Sequence, residues 1–311
     1  MTQRINEIDF LRCVFILLMV AFHLVYIGDK YPYAKLVVYT FHMPAFLLIS
    51  GYLLSMHKPA VLFFRSMVWL FVPYAVMESG YVLMASFLPI REHIDCLTLP
   101  LFFDKLLFHP LGPYWYLHTL LLGGITGYFL SCLKVCRGNM SVFCALLALV
   151  FMAESWWLGL ADLSSLFYLG IGMILRRREI SFVSFFRGTV WSLPPLLVLA
   201  SDASYLNRFS LPGMLMTYFS ISMSLAIFPY VGRLRSLLLF IGRNTLAVLI
   251  FSPIFTLLSK GLLPLFGFDP TGLCFLVVAL SLVLTGSFGI AWLLDRCRLS
   301  RFLCGRPQML Q

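Results

Sequence analysis

Charge is what this sequence has least of. Only 12% of its 311 residues are Asp, Glu, Lys or Arg, and only 13 of them are acids, where a soluble domain carries about a quarter charged residues. With 61% hydrophobic residues and a mean hydropathy of +0.93, that scarcity excludes a soluble globular protein and leaves no room for a sizeable soluble domain. A cleavage site is also missing. The apolar run between Arg12 and His23 is short enough to mimic a signal-peptide core, but no small-x-small pattern follows it, so the first span is expected to be retained. Cys132 and Cys136 share a loop without a second ligand pair, which argues against zinc. No metal and no bound cofactor are expected. The net charge of +10 is carried by short basic clusters between apolar spans, not by a basic patch interleaved with aromatics. It reads as membrane topology and excludes a nucleic-acid partner.

What is present is a series of apolar runs. Taking roughly 20 apolar residues as one span, ten are counted, near 8–27, 36–56, 63–87, 113–133, 141–158, 160–175, 188–203, 211–231, 237–259 and 272–294. With the N-terminus inside, sixteen Lys and Arg residues fall in inner segments and six in outer ones, with Arg12 within the first span. The lysine and arginine bias therefore predicts an all-α polytopic membrane protein of about ten transmembrane helices, both termini cytoplasmic, forming one domain over 1–311. The expected location is the plasma (inner) membrane. The longest outer loop, about 88–112, holds His93, Asp95, Asp104 and His109 and is long enough to fold over a pocket mouth. No internal repeat of the secondary-transporter kind is visible.

The first span carries Asp9, Arg12 and His23 where apolar residues would anchor a helix better. An arginine at the bilayer centre costs about 3 kcal/mol or more, and intramembrane ionisable groups generally mark function. Arg12 and His23 are eleven residues apart, about 16 Å along an α-helix and about 20° from the same azimuth, with Asp9 about 40° from His23. On the predicted topology Arg12 lies toward the cytosol and His23 deeper. The second span supplies His42, expected at a depth similar to His23, then Pro44, which tends to kink a helix, and Ser50 and Gly51, small enough for close helix or ligand approach.

These residues resemble the acyltransferase-3 family of integral membrane acyltransferases. Arg12, ten residues, then His23 is similar to its first-span pattern, and Phe41-His42-Met43-Pro44 before Ser50-Gly51-Tyr52 to its second. Arg65 and Pro73-Tyr74 resemble its third span, Pro113–Leu117 its fourth, Phe167–Gly172 its sixth, and Ile241-Gly242-Arg243-Asn244-Thr245-Leu246 a late motif. There are two departures. Phe251-Ser252-Pro253 stands where relatives often carry a histidine, and no extracellular hydrolase-like domain follows the last span.

The resemblance implies transfer of an acyl group, most often acetyl from acetyl-CoA, to a hydroxyl of a cell-surface or lipid-linked glycan. The chemistry of the residues agrees. Arginine suits a phosphate-bearing cytoplasmic acyl-CoA through charge-assisted bonds, so Arg12 and Arg65, and also Arg243, are donor-binding candidates. Arg65 and Arg243 serve equally well as inner-surface topology signals. His23 and His42 are the catalytic candidates. A neutral imidazole takes the acceptor hydroxyl proton, or forms an acyl-imidazole and passes the group on; both routes fit. Asp9 is expected to orient Arg12, and Ser50 to support the site. Tyr26, Glu78, Trp115, Glu154 and Asp162 fall near outer span ends, where aromatics are common in any case. The alternative is a transporter or flippase whose intramembrane His and Arg line a substrate path, which ten spans and basic loops fit equally.

Overall fold

The computed structural model describes residues 4–87 and 93–311; Arg91 of the outer loop lies outside them. In chain order the helices are α1 (Asn6–His23), α2 (Val25–Lys30), α3 (Pro32–Leu53), α4 (Ala60–Phe87), α5 (Leu99–Leu107), α6 (Trp115–Cys132), α7 (Lys134–Arg137) and α8 (Met140–Met152). There follow α9 (Leu163–Arg177), α10 (Phe182–Phe186), α11 (Leu193–Ala200), α12 (Leu211–Ile227), α13 (Arg235–Arg243), α14 (Thr245–Ser259), α15 (Leu273–Arg296) and α16 (Ser300–Cys304). No strand occurs among the described residues. An all-helical chain satisfies its backbone polar groups internally, as hydrocarbon demands.

Six helical stretches are long and apolar enough to cross a membrane: Pro32–Leu53, Ala60–Phe87, Met140–Trp157, Leu211–Tyr230, Thr245–Phe266 and Leu273–Arg296. Their outward faces are apolar. Val61, Phe87 and Trp157 are 79%, 81% and 88% exposed, which only a lipid environment makes favourable. The other four stretches read as spans are helical but shorter or more polar. They are α1 with Glu7, Asp9 and Arg12, α6, the 15-residue α9, and Val190–Ala200.

Two expected spans are not single helices. The run 8–27 breaks directly after His23, where Leu24 turns to an extended conformation (ψ 104°) before α2. The run 237–259 breaks at Asn244, whose side chain bonds back to the Phe240 carbonyl. Leu24 sits in apolar sequence, whereas the second break falls in the polar run Arg243-Asn244-Thr245, too short to interrupt a span-length apolar window. Elsewhere polar caps set the ends. Asn139 takes the Val142 N–H at the start of α8, Asp162 takes Ser165 N–H at α9, and Ser210 takes Gly213 N–H at α12.

The chain divides into two compact units. The first comprises residues 1–46, 181–302 and 306–311, and holds α1, α2 and α10–α15. In it Phe10 packs with Phe228 and Leu239, and Leu24 and Ile27 pack with Phe275 and Ala279. The second comprises residues 47–180 and 303–305 and holds α4–α9. Its core joins Phe143, Leu147 and Phe151 of α8 to Leu166, Leu169 and Met173 of α9. The C-terminal end of α3 crosses α9 in this unit at backbone contact: a Cβ on Gly51 would strike the Leu169 carbonyl, and one on Gly172 the Leu48 carbonyl. The second-span and sixth-span motifs thus pack on each other through their glycines.

Gly51→Ala and Gly172→Ala should each lower the thermal unfolding midpoint in detergent, reflecting an overpacking cost of about 1–3 kcal/mol. Gly80→Ala, where an added Cβ meets open space, should leave the midpoint unchanged or raise it. Parent-like melting of both tight-site variants would mean that the crossing is looser than described.

Candidate active site

The first unit assembles the opening motif and the late motif. α1 begins without a side-chain cap and carries Glu7 and Asp9 in its first turn, where negative charge opposes the helix dipole favourably. Asp9 is only 4% exposed, so its carboxylate needs cations. Three converge on it: Arg4 Nε at 2.8 Å, Arg243 Nε at 3.4 Å and Arg12 Nη1 at 3.7 Å. Arg243 also donates to Asn6 Oδ1 at 3.3 Å. Gly242 lets α13 approach, since a Cβ there would collide with the Asp9 carbonyl. Arg12 itself donates through Nη2 to Thr245 Oγ1 at 2.5 Å. Asp9 therefore serves three arginines, and Arg12 also bonds a threonine hydroxyl that sequence did not suggest.

The neighbouring Asn244 holds Gln311 through both its amide groups, at 2.8 and 3.1 Å, while Arg4 Nη1 donates to the Gln311 side chain at 3.2 Å. Asp295 accepts the Met309 and Leu310 N–H groups. Residues 309–311 are thereby tied to the late motif.

At the other end of α1 the two imidazoles come together. His23 Nδ1 lies 2.7 Å from the Met19 carbonyl, and His42 Nδ1 lies 2.7 Å from the Val38 carbonyl. A carbonyl only accepts, so each neutral ring carries its proton on Nδ1 and leaves the Nε2 lone pair available. The Tyr39 ring sits between them, its centroid 6.0 Å from His23 and 5.1 Å from His42. Its hydroxyl donates to the Phe22 carbonyl at 3.3 Å. His23 is exposed, whereas His42 is 2% exposed and its Nε2 has no hydrogen-bond partner among the described residues. Lys35 lies over the Tyr39 ring at 5.7 Å, and Arg208 is close enough to His42 to act on it electrostatically. The two histidines, expected at a similar depth, both lie against the Tyr39 ring. Tyr39, Lys35 and Arg208 were missed, because single aromatic and basic residues at span ends carry no distinguishing signal.

The second unit holds the remaining candidates. The Ser50 and Tyr116 hydroxyls share a short hydrogen bond, joining the second-span and fourth-span motifs. Arg65 is exposed on α4 and forms no ion pair among the described residues. Glu78 is fully buried and takes the Leu111 N–H at 2.6 Å. Glu154 lies in a π-helical turn, Ala153–Trp157, and takes the Thr126 hydroxyl proton at 2.5 Å. Between α4 and α6, His109 Nδ1 pairs with Asp104 of α5 at 2.7 Å. Ser252, where relatives often carry histidine, is buried in α14.

A family model described as an acyltransferase domain matches residues 5–292. The chain belongs to the acyltransferase-3 family. That match runs through both units and supports an integral membrane acyltransferase. No curated protein and no solved structure matches the chain.

Asp9→Asn should lower the unfolding midpoint by the equivalent of about 1–2 kcal/mol, since it removes a buried charged acceptor from arginines that are themselves partly solvated. A midpoint equal to that of the parent would show that the three guanidiniums do not depend on this carboxylate.

Proposed function

We propose that this acyltransferase moves an acyl group, acetyl in the simplest case, from cytoplasmic acyl-CoA to a hydroxyl of a cell-surface or lipid-linked glycan. The reading places ten spans in the plasma membrane, with both termini in the cytosol. The observation that carries it is the pair of imidazoles whose Nδ1 protons are committed to helix carbonyls. Each ring then offers an Nε2 lone pair, the atom a base or nucleophile needs.

On this reading His23, the exposed member, meets the substrates. Its Nε2 takes the hydroxyl proton as the acceptor oxygen attacks the thioester carbonyl. The C–S bond breaks, the thiolate leaves, and the proton held on His23 passes to the sulfur, giving the ester and free CoA. Alternatively Nε2 attacks the carbonyl first and an acyl-imidazole carries the group. His42, buried beside the shared Tyr39 ring, is assigned to the same catalytic cluster. Arg12 is assigned to the donor: Thr245 and Asp9 orient its guanidinium, whose fork of donors matches phosphate geometry. Arg65, exposed and with no ion pair among the described residues, is kept as a donor-binding candidate. Ser50, bonded to the Tyr116 hydroxyl, is kept as a supporting residue.

The purified protein, given labelled acetyl-CoA and glycan acceptor, should transfer label, and His23→Ala should reduce the rate by about 10²–10⁴-fold with unchanged membrane level. Full transfer by that variant would remove His23 from the chemistry. Substrate uptake into vesicles without label transfer would replace the enzyme reading with transport. Arg12→Ala should raise the apparent KM for acetyl-CoA by roughly tenfold, the loss expected for one charge-assisted contact. An unchanged KM would take Arg12 out of the donor site.

A further inference from the structure

The second unit contains a cluster of cations that the proposed chemistry does not use. A cavity of about 320 Å³ is lined by Arg137, Gly138, Met140, Arg177 and Arg178. Three guanidiniums at one basin repel one another. Among the described residues none of them is paired with a carboxylate. Arg177 is held in place from two sides. Its Nη2 donates to the Cys136 carbonyl, and its guanidinium carbon lies 4.1 Å from the Phe143 ring centroid. Its Nη1 is buried and has no acceptor among the described residues. A buried, charged donor without an acceptor is costly, so a fixed arginine in this state points to an anion that completes it.

The backbone adds to the same field. Gly138 and Met140 flank Asn139, the cap of the 13-residue α8, so the basin sits at a helix N-terminus, where N–H groups and the dipole favour anions. Arg137 and Arg178 are exposed and give a ligand access. We propose that this basin binds a phosphate group, held by Arg177 from beneath and by Arg137 and Arg178 at the rim. The basin lies at the ends of α7 and α9, and Leu133 and Val135 beside it are 45% and 63% exposed. A phosphate seated there has apolar surface next to it, as the headgroup of an anionic phospholipid requires; basic pockets at helix ends are suited to such headgroups. The same guanidiniums would also take a free phosphate compound.

Native mass spectrometry of the full chain separates the two sources, using phosphatidylglycerol and phosphatidylcholine in mixed micelles. Thermal unfolding with inorganic pyrophosphate provides the second arm. The expected result is preferential retention of phosphatidylglycerol, reduced about tenfold or more in the double variant Arg137→Gln/Arg178→Gln, as for loss of charge-assisted contacts. Arg137→Lys/Arg178→Lys should keep part of it. Both positions are exposed, so the variants should melt like the parent without ligand, and that melt verifies folding. Pyrophosphate stabilisation that is lost in the glutamine variant, without lipid preference, would support the phosphate site with a soluble ligand. If neither probe binds, or both bind the folded glutamine variant as they bind the parent, the proposal is overturned.

Discussion

Burying a carboxylate as deeply as that of Asp9 is costly unless cations come to it, and in this chain they come from three places in the sequence. Arg4 precedes α1, Arg12 lies one turn further along it, and Arg243 ends α13. That requirement draws the late motif onto the first helix. Gly242 permits the approach, because any side chain there would strike the Asp9 backbone. Asn244 then breaks the helix, and Thr245 opens α14 with its hydroxyl on Arg12. Gly242, Arg243 and Thr245 of the late motif each have a distinct physical task around this carboxylate. The motif reads as a docking device before it reads as a catalytic one.

The other end of α1 is set by a different need. α1 stops at His23, one residue before the extended Leu24. The imidazole turns back onto the Met19 carbonyl, and His42 does the same with Val38 inside α3. Local hydrogen bonding therefore selects the tautomer. In both rings it leaves bare the nitrogen that points away from the helix. The Tyr39 ring between them limits how either imidazole can turn.

Much of this was legible in the sequence, and the rest was hidden for identifiable reasons. Helix existence followed from apolar runs, and close approach at Ser50-Gly51 from their small side chains, but the partner at Gly172 came only from the packing of α3 on α9. The break at Leu24 was hidden because apolar residues follow it directly, and that at Asn244 because three polar residues do not interrupt a span-length apolar window. Arg12 and Thr245 are 233 positions apart, and no spacing rule links them. Asp9 was read as a partner for Arg12 alone, since only residues on its own helix have a predictable azimuth. Arg137, Arg177 and Arg178 counted simply as inner-face charge. Their convergence at one cavity depends on how α7, α8 and α9 pack in the second unit, and periodicity does not report that.

The unbroken stretch of α1 between Arg12 and His23 gives the proposed chemistry its scale. Eleven residues of α-helix separate the two by about 16 Å on nearly one face, and a helix does not stretch. An acyl-CoA is likewise extended, with anionic phosphates at one end and the reacting thioester at the other. A rigid rod carrying a guanidinium and an imidazole can hold both ends at once only if their separation suits the donor. The anchoring of Arg12 by Thr245 and Asp9, and of His23 by the Met19 carbonyl, removes rotamer freedom at both marks on that rod. Positioning of this kind lowers a barrier through prepaid entropy and adds no new bond. On the proposed reading, the intramembrane charge that makes α1 a poor anchor is what makes it a usable template.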